Sequence, residues 1–236
     1  MSQEHALSAG VHTDGAGRCL PYRLFLPARR ATGPLPLVLY LHGAGERGDD
    51  NRRHVEVHLG RRGHPGGLFT SDTVQASYPH CFLAPQCPHG SVWRGWAAEA
   101  AIELVQRIRQ REHVDPDRVY VTGISMGGYG SFYAVERYPE AFAAVVPQSG
   151  GGDAGAAPRL VAVPAWIFHG ARDEVVPVEN ARRMVQAITT AGGSPRYTEY
   201  PQLGHDIWDT AYGEPDLLPW LFSQRRGEPD RFGSVR

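Results

Sequence analysis

One segment, residues 119–130, constrains the fold of this chain more than any other part of the sequence. It reads Val-Tyr-Val-Thr-Gly-Ile-Ser-Met-Gly-Gly-Tyr-Gly, a β-branched strand pattern that leads into Gly-x-Ser-x-Gly and then into a helical pattern. A sharp turn between a strand and a helix strains its central serine and requires small neighbours, and Gly123 and Gly127 flank Ser125. We predict that Ser125 is a nucleophile. The alternative is a tight turn with a structural role only.

Two downstream segments carry the partners that a serine nucleophile needs, a histidine base and a carboxylate that orients the base. An apolar strand pattern at 163–170 ends in a turn that carries Asp173, and a shorter pattern at 196–200 is followed by His205. The carboxyl ends of parallel strands gather at one edge of a sheet. We therefore expect both side chains beside Ser125, in the chain order Ser, Asp, His.

Both partners have alternatives. An aspartate after glycine commonly caps a turn, and this is the alternative interpretation of Asp173. Glu174 and Asp153 are the rival acids, the latter directly after a run of three glycines. His205 could instead be structural, but none of the other ten histidines follows the last strand pattern.

A third requirement is a pair of backbone N–H groups that stabilise the negative oxygen formed during acyl transfer. An apolar strand pattern at 35–41 is followed by the glycine-rich bend His-Gly-Ala-Gly-Glu-Arg-Gly at 42–48, which can turn one amide toward the serine. The residue after the nucleophile supplies the other amide. We assign this oxyanion hole to Ala44 and Met126.

The same bend raises a different hypothesis, because residues 43–48 match the dinucleotide-binding pattern Gly-x-Gly-x-x-Gly. That pattern should open a helix, and an acidic residue should follow about 20 positions later at the end of a second strand. Neither feature appears in residues 49–67, which are rich in arginine, histidine and glycine. The nucleotide hypothesis is therefore the weaker one.

Five stretches together resemble the α/β-hydrolases of the carboxylesterase/phospholipase-like group, which includes predicted peptidases and polyhydroxybutyrate-depolymerase-like esterases. The stretches are Leu-His-Gly-Ala-Gly-Glu-Arg-Gly at 41–48, Ala-Pro-Gln at 84–86, Gly-Ile-Ser-Met-Gly-Gly at 123–128, His-Gly-Ala-Arg-Asp-Glu-Val-Val-Pro at 169–177 and Gly-His-Asp at 204–206. The resemblance implies an α/β-hydrolase fold over residues 18–222. It also implies a triad of Ser125, Asp173 and His205, with an oxyanion amide at Ala44.

The order of strand and helix patterns predicts an α/β protein with a mostly parallel, doubly wound sheet flanked by helices. Apolar residues recur at helical spacing in 97–108 and in 178–191. The 236 residues fit one domain, with its core at 18–222, no large cap domain and a flexible C-terminal tail at 225–233. Strand patterns lie near 20–26, 36–41, 80–84, 118–122, 142–147, 164–169 and 196–200.

Charge and composition exclude several partners. The 24 basic and 25 acidic residues give a formal net charge of −1, so we expect no binding to nucleic acid or to an anionic membrane. The first residues lack a basic, apolar leader, and we therefore expect a cytoplasmic protein. Cys19, Cys81 and Cys87 cannot all pair with one another and are expected to be free thiols, buried or half-buried. The oligomeric state is not set by these features.

A cluster of His54, His58 and His64 with Glu56 offers a metal site as one interpretation. The cluster lies among arginines and glycines, which favours a solvated loop instead. A serine mechanism requires no cofactor, and we predict none.

Aromatic residues occupy loops near the expected site, namely Trp93, Trp96, Tyr129 and Trp208, with Tyr212 further along. An apolar cleft without a clear charged anchor suits neutral esters with short acyl or aromatic groups. We therefore predict a serine carboxylesterase that hydrolyses small-molecule esters through an acyl-enzyme. The alternatives are a peptidase with the same triad and a binding protein on a hydrolase scaffold.

Overall fold

An eight-stranded sheet forms the centre of the protein in the computed structural model, which describes residues 7–27, 33–56, 65–230 and 232. The strands are β1 (Ser8–Thr13), β2 (Cys19–Phe25), β3 (Leu35–Leu41), β4 (Cys81–Pro85), β5 (Val114–Ile124), β6 (Ala144–Gln148), β7 (Trp166–Gly170) and β8 (Arg196–Tyr200). Their order across the sheet is β1-β2-β4-β3-β5-β6-β7-β8. The pairs β1–β2 and β2–β4 are antiparallel, and the pairs from β4 to β8 are parallel.

Helices cover both faces of the sheet. Those in the described residues are α1 (Arg53–Glu56), α2 (Pro65–Thr70), α3 (Asp72–Ser77), α4 (Trp96–Arg111), α5 (Met126–Arg137), α6 (Ala157–Leu160), α7 (Glu179–Thr190), α8 (Trp208–Ala211) and α9 (Leu217–Ser223). One apolar core joins the sheet to α4, α5, α6 and α7, and a second joins the opposite face to α1, α2, α8 and α9. All seven residues of β3 are buried because successive side chains enter opposite cores.

This architecture confirms the predicted α/β-hydrolase fold. The seven predicted strands correspond to β2–β8 and the two predicted helices to α4 and α7, with shifted ends. The largest shift is at β5, which begins at Val114 and includes Pro116. The sequence patterns do not predict β1, because this exposed edge strand has no apolar alternation and buries only His12. The described residues contain no cap domain.

The chain after α9 is hydrogen-bonded to the rest of the protein as far as it is described. Arg226 N donates to Asp117 O over 3.0 Å, and the Arg226 guanidinium lies 2.6 Å from an Asp117 carboxylate oxygen. Trp220 Nε1 donates to Asp230 Oδ2 over 3.1 Å. These bonds attach the segment to the sheet and to α9, and the flexibility expected for residues 225–233 stays a prediction. Residue 231 and residues 233–236 lie outside the described part of the chain.

The three cysteines are free thiols, Cys19 exposed and Cys81 and Cys87 buried. Burial raises the pKa of Cys87 to about 12, so this thiol stays protonated and unreactive at neutral pH. None of the helices in the described ranges combines the length and the apolar character that a bilayer crossing demands.

Gly127, in the first turn of α5, has no room for a β-carbon. An added β-carbon would collide with the backbone of Leu41 at the end of β3. Alanine is the better helix former, yet we expect Gly127→Ala to lower the free energy of unfolding by about 1–3 kcal/mol, because the backbones must separate. Denaturant unfolding measures this. Gly15→Ala is the matched control, since nothing lies within 4 Å there. Equal stability of the two variants would contradict the close approach.

Candidate active site

Ser125 occupies the sharp turn between β5 and α5. Its backbone φ is 53° and its ψ is −116°, which strains a residue that carries a β-carbon. Ser125 N donates to Gln148 O at the end of β6 over 2.9 Å, and Ser125 O accepts from Tyr129 N over 3.1 Å. These bonds fix the turn, and the serine remains partly exposed at the carboxyl edge of the sheet.

The structure brings Ser125, Asp173 and His205 together, although 80 residues separate the histidine from the serine. His205 Nε2 lies 2.9 Å from Ser125 Oγ, and His205 Nδ1 lies 2.7 Å from Asp173 Oδ2. A carboxylate only accepts, so Nδ1 carries the hydrogen and Nε2 is left to accept from the serine hydroxyl. The arrangement can transfer a proton from Ser125 to His205.

Asp173 is buried and well supplied with donors. Its Oδ1 accepts from Val175 N over 2.9 Å and from Val176 N over 2.8 Å, while Oδ2 faces His205. Burial opposes ionisation, but the hydrogen bonds from His205 and the two amides outweigh it and hold the pKa of Asp173 below its ordinary value. A fixed negative charge therefore sits behind the histidine.

The two rival acids have no such contacts. Asp153 is exposed, and its Oδ1 accepts from Gly155 N over 2.9 Å at the start of a short helical turn. Glu174 is also exposed. Neither shows a hydrogen bond to His205 within the described residues, so Asp173 alone has the geometry expected of the orienting acid.

Ser149, which the sequence analysis did not single out, holds the backbone of the histidine loop. Its Oγ donates to His205 O over 2.9 Å, and its N donates to Phe168 O over 3.0 Å. The Ser149 backbone has a φ of 44°, a strained conformation that no sequence pattern predicts. Ser149 thus links the ends of β6 and β7 to the loop that carries His205.

His169 is a second residue that sequence reasoning missed. It is fully buried at the end of β7, with Nε2 2.9 Å from Val176 O and 3.2 Å from Asp173 Oδ2. The sequence indicates a role for His169 only through its position, directly before Gly170 and four residues before Asp173. Its ring packs beside the carboxylate and braces the 173–176 turn.

The bend after β3 lies against the strand that leads to Ser125. A β-carbon added at Gly43 would lie 3.7 Å from Ile124 O, and a 3-10 turn at Ala44–Glu46 follows. Met126 is the first residue of α5, so its N–H lacks the carbonyl four residues earlier that an interior helical residue would use. Ala44 and Met126 thus begin the two segments that meet at the serine, and their oxyanion role stays a prediction.

His42 ties this bend to the loop after β4. Its Nε2 accepts from Cys87 N over 2.8 Å, so the ring hydrogen is on Nδ1, which donates to Gly43 O over 2.7 Å. Trp93 Nε1 donates to His42 O over 2.9 Å. These three bonds fix the backbone next to Ala44, a role of His42 that the sequence motif alone does not predict.

The predicted substrate-binding aromatic residues divide into two groups. Trp93 and Tyr129 line a cleft next to Met126, and Trp208 contacts the edge of the His205 ring with centroids 5.6 Å apart. Trp96 instead packs against Arg18, whose guanidinium lies 4.9 Å from its ring. The structure does not bring Trp96 to the cleft, because its position at the start of α4 directs it to the β1–β2 side.

Two further expectations about the surroundings of the site are corrected. Tyr212 is buried and its hydroxyl lies 2.8 Å from Thr122 Oγ1, so it belongs to the core. The cleft is also not purely apolar, because Arg94 and Glu136 line it beside the aromatic residues. No short motif predicts that these two charged side chains line the cleft.

His54 is not part of a solvated loop, which corrects the interpretation of the histidine cluster. It is buried, and its Nε2 lies 2.9 Å from Ala84 O. Burial, with a smaller contribution from His42, lowers the pKa of His54 to about 3, so this ring is neutral. His58 and His64 lie outside the described residues. No group of three or more metal-binding side chains gathers among the residues that the structure describes.

Comparison with known proteins identifies similar chains. A probable carboxylesterase of Oryza sativa subsp. japonica is 24% identical over 205 residues, covering 76% of this chain and 85% of its own. The bifunctional acetylxylan esterase/xylanase of Neocallimastix patriciarum is 27% identical over 164 residues, covering 69% of this chain but 22% of its own. The crystal structure of a thermostable esterase superposes with a TM-score of 0.88 at 36% identity, covering 93% of this chain and 63% of its own.

The chain therefore spans less than two thirds of that esterase structure and about a fifth of the Neocallimastix protein. The family described as "Esterase PHB depolymerase" matches residues 20–176, a range that includes Ser125 and Asp173 and ends before His205. This match confirms the resemblance that the five motifs indicated. Because the matched range is more than half of the sequence, the chain belongs to the esterase PHB depolymerase family.

Proposed function

We propose that this chain is a serine carboxylesterase that hydrolyses small neutral esters. The observation that carries the proposal is the pair of hydrogen bonds that places His205 between Ser125 Oγ and Asp173 Oδ2. Membership in an esterase family and the shared fold with a solved esterase support the same conclusion.

In the proposed first step, His205 Nε2 takes the Ser125 proton as Oγ attacks the ester carbonyl. The ionised Asp173 stabilises the imidazolium that forms and keeps the ring oriented. The N–H groups of Ala44 and Met126 stabilise the negative oxygen of the tetrahedral intermediate. His205 then protonates the leaving alcohol, and an acyl group remains on Ser125.

In the second step, water replaces the alcohol. His205 removes a proton from the water as the water attacks the acyl carbonyl, and the second tetrahedral intermediate expels Ser125 Oγ, which recovers its proton. The products are a carboxylic acid and free enzyme. Every proton passes through one histidine, so the mechanism needs no cofactor.

Two alternatives remain open to experiment. A peptidase with the same triad would cleave amides, and a binding protein would cleave neither substrate. An ordered triad that can pass a proton favours the enzyme over the binding protein. We also propose a cytoplasmic location, with which the three free thiols are compatible.

The first prediction concerns Ser125. We expect the protein to hydrolyse p-nitrophenyl acetate or butyrate faster than aminoacyl-p-nitroanilides, and Ser125→Ala to lower kcat/KM roughly 10³-fold or more. An organophosphonate should label Ser125 stoichiometrically, which mass spectrometry of the tryptic peptides detects. A folded Ser125→Ala protein with undiminished turnover would exclude this serine as the nucleophile.

The second prediction separates the three acids. Asp173→Asn should reduce kcat by orders of magnitude, about 10⁴-fold in serine proteases, because the histidine then takes the wrong tautomer. Asp153→Asn and Glu174→Gln are matched controls, since both side chains are exposed and apart from His205. Steady-state kinetics on p-nitrophenyl butyrate measures all three. If Asp153→Asn is the crippled variant, the acid is misassigned.

The third prediction concerns pH. His205 must be neutral to accept the serine proton, so kcat/KM should fall as the pH drops and the ring becomes protonated. The pKa of Asp173 is held low, so its carboxylate stays charged over that range, and the acid limb should follow one proton. A pH–rate profile with a two-proton acid limb, or a rate that EDTA abolishes and zinc restores, would contradict the mechanism.

A further inference from the structure

Trp208 is the aromatic side chain that contacts the ring of His205. The two ring planes stand at 89° to each other, and their centroids lie 5.6 Å apart. Both nitrogens of His205 are engaged elsewhere, Nδ1 with Asp173 and Nε2 with Ser125. The contact with Trp208 therefore leaves the bonds of the triad intact and uses the carbon edge or a face of the imidazole.

The backbone of the histidine loop holds the two rings together. Ser149 Oγ and Ile207 N both donate to His205 O, over 2.9 Å and 3.1 Å. Trp208 is the first residue of α8, and its O accepts from Tyr212 N over 2.9 Å. The indole also packs against the apolar core on the side of α8 and α9. The contact between the rings is thus built into the fold and does not depend on a bound substrate.

No hydrogen bond explains why the residue at this position is a tryptophan. The Nε1 of Trp208 is buried and has no partner among the described residues, and an unpaired buried donor costs free energy. A phenylalanine or a leucine would fill apolar space there without that cost. What the indole adds is a ring face with more negative electrostatic potential than that of any other aromatic side chain.

A negative ring face distinguishes the two protonation states of an imidazole. It attracts a positively charged ring that points an edge at it, and it has little effect on the neutral ring. The proposed reaction creates this cation when His205 takes the proton of Ser125, and again when it takes a proton from water. A group that stabilises the cation lowers the barrier, because it acts more strongly in the transition state than in the resting enzyme.

Several charged or titratable groups lie on the segments that surround His205. They are Asp173 and Arg172 on the turn after β7, His169 behind the Asp173 carboxylate, Tyr129 on α5, Asp206 on the histidine loop and Asp209 on α8. None of these groups is altered when Trp208 is replaced. A change in the protonation of His205 between variants of Trp208 therefore reports on the indole.

We propose that Trp208 is a positioning residue that acts through His205: its indole face receives the carbon edge of the histidine and stabilises the protonated ring. In this role Trp208 need not touch the substrate, unlike the substrate-binding role that the sequence predicts for it. The effect on rate rests on the proposed esterase function, whereas the protonation of His205 can be measured without a substrate.

Three replacements of Trp208 separate the ring face from the cover that the side chain provides. Phenylalanine keeps a weaker ring face, leucine keeps an apolar cover without a ring face, and alanine admits water, which itself solvates a cation. We therefore expect the protonated ring to lose most stability in Trp208→Leu, less in Trp208→Ala and least in Trp208→Phe. A side chain that acts only through its volume gives increasing losses in the order Phe, Leu, Ala.

The substrate-free measurement uses Ser125→Ala protein with isotope-labelled histidine and follows the ring signal of His205 against pH by NMR. The signal is assigned by its disappearance in His205→Asn. We expect Trp208→Leu to lower the pH at which the ring is half protonated by about half a pH unit, the size that an ordinary cation–π interaction gives.

Controls accompany this titration. Trp96→Leu is the matched control, because Trp96 packs against Arg18 away from the histidine, and it should leave the titration of His205 unchanged. Circular dichroism checks that each variant is folded. Trp208→Met, which is also apolar and has no ring face, gives the same comparison if the leucine variant does not fold.

Rates on p-nitrophenyl acetate give the second readout, in protein that retains Ser125. With the stabilisation of the cation removed, kcat of Trp208→Leu should fall about 2- to 5-fold at the pH optimum, while the acid limb of kcat/KM moves to lower pH. Trp208→Phe should recover most of both changes. A side chain that only binds substrate would raise KM and leave the acid limb in place, and that result would overturn the proposal.

The outcomes distinguish the inference from the function on which it rests. If p-nitrophenyl acetate is not hydrolysed and Ser125 is not labelled, the esterase function fails, and the NMR titration still decides the role of Trp208. If the titration of His205 is the same with tryptophan and leucine, or moves to higher pH with leucine, the indole face does not stabilise the protonated ring and the inference is wrong. A loss that follows side-chain volume assigns Trp208 to packing instead.

Discussion

The strained backbone of Ser125 is the constraint on which the rest of the site depends. A residue other than glycine with a backbone φ of 53° is tolerated only when its surroundings hold the turn. Here the turn is bonded to the end of β6 through Gln148 O, and Gly127 allows α5 to start in contact with β3. The strain projects Oγ out of the sheet edge, and the packing that enforces the strain also sets the distance to the glycine-rich bend after β3.

The parallel arrangement of β3 and β5 to β8 explains why distant residues meet. Each strand ends at the same edge, so the loops after β5, β7 and β8 bring the serine, the acid and the histidine to one place. Alignment of strand ends does not by itself fix a hydrogen bond. Ser149 fixes the position of the loop that carries His205. Its hydroxyl donates to the backbone O of His205, and its own N–H donates to the end of β7.

Much of this site was accessible from the sequence, because the relevant signals are local. The strand before Ser125, the glycines around it and the turn before Asp173 all obey short-range rules. The roles of Ser149 and His169 were not predicted, because they arise from contacts between segments. Strand β1 was not predicted, because an exposed edge strand has no apolar pattern. The interpretation of His54 was wrong for a related reason. A polar sequence context does not reveal that this ring is buried and hydrogen-bonded to Ala84 O.

Several buried polar atoms around the site are paired within the fold. His42 Nε2, His54 Nε2 and both oxygens of Asp173 reach a backbone or side-chain partner, so their burial is compensated within the fold. Gln148 differs, because both polar atoms of its buried side-chain amide lack a hydrogen-bond partner among the described residues. Its contribution to the site is its backbone O, which accepts from Ser125 N over 2.9 Å.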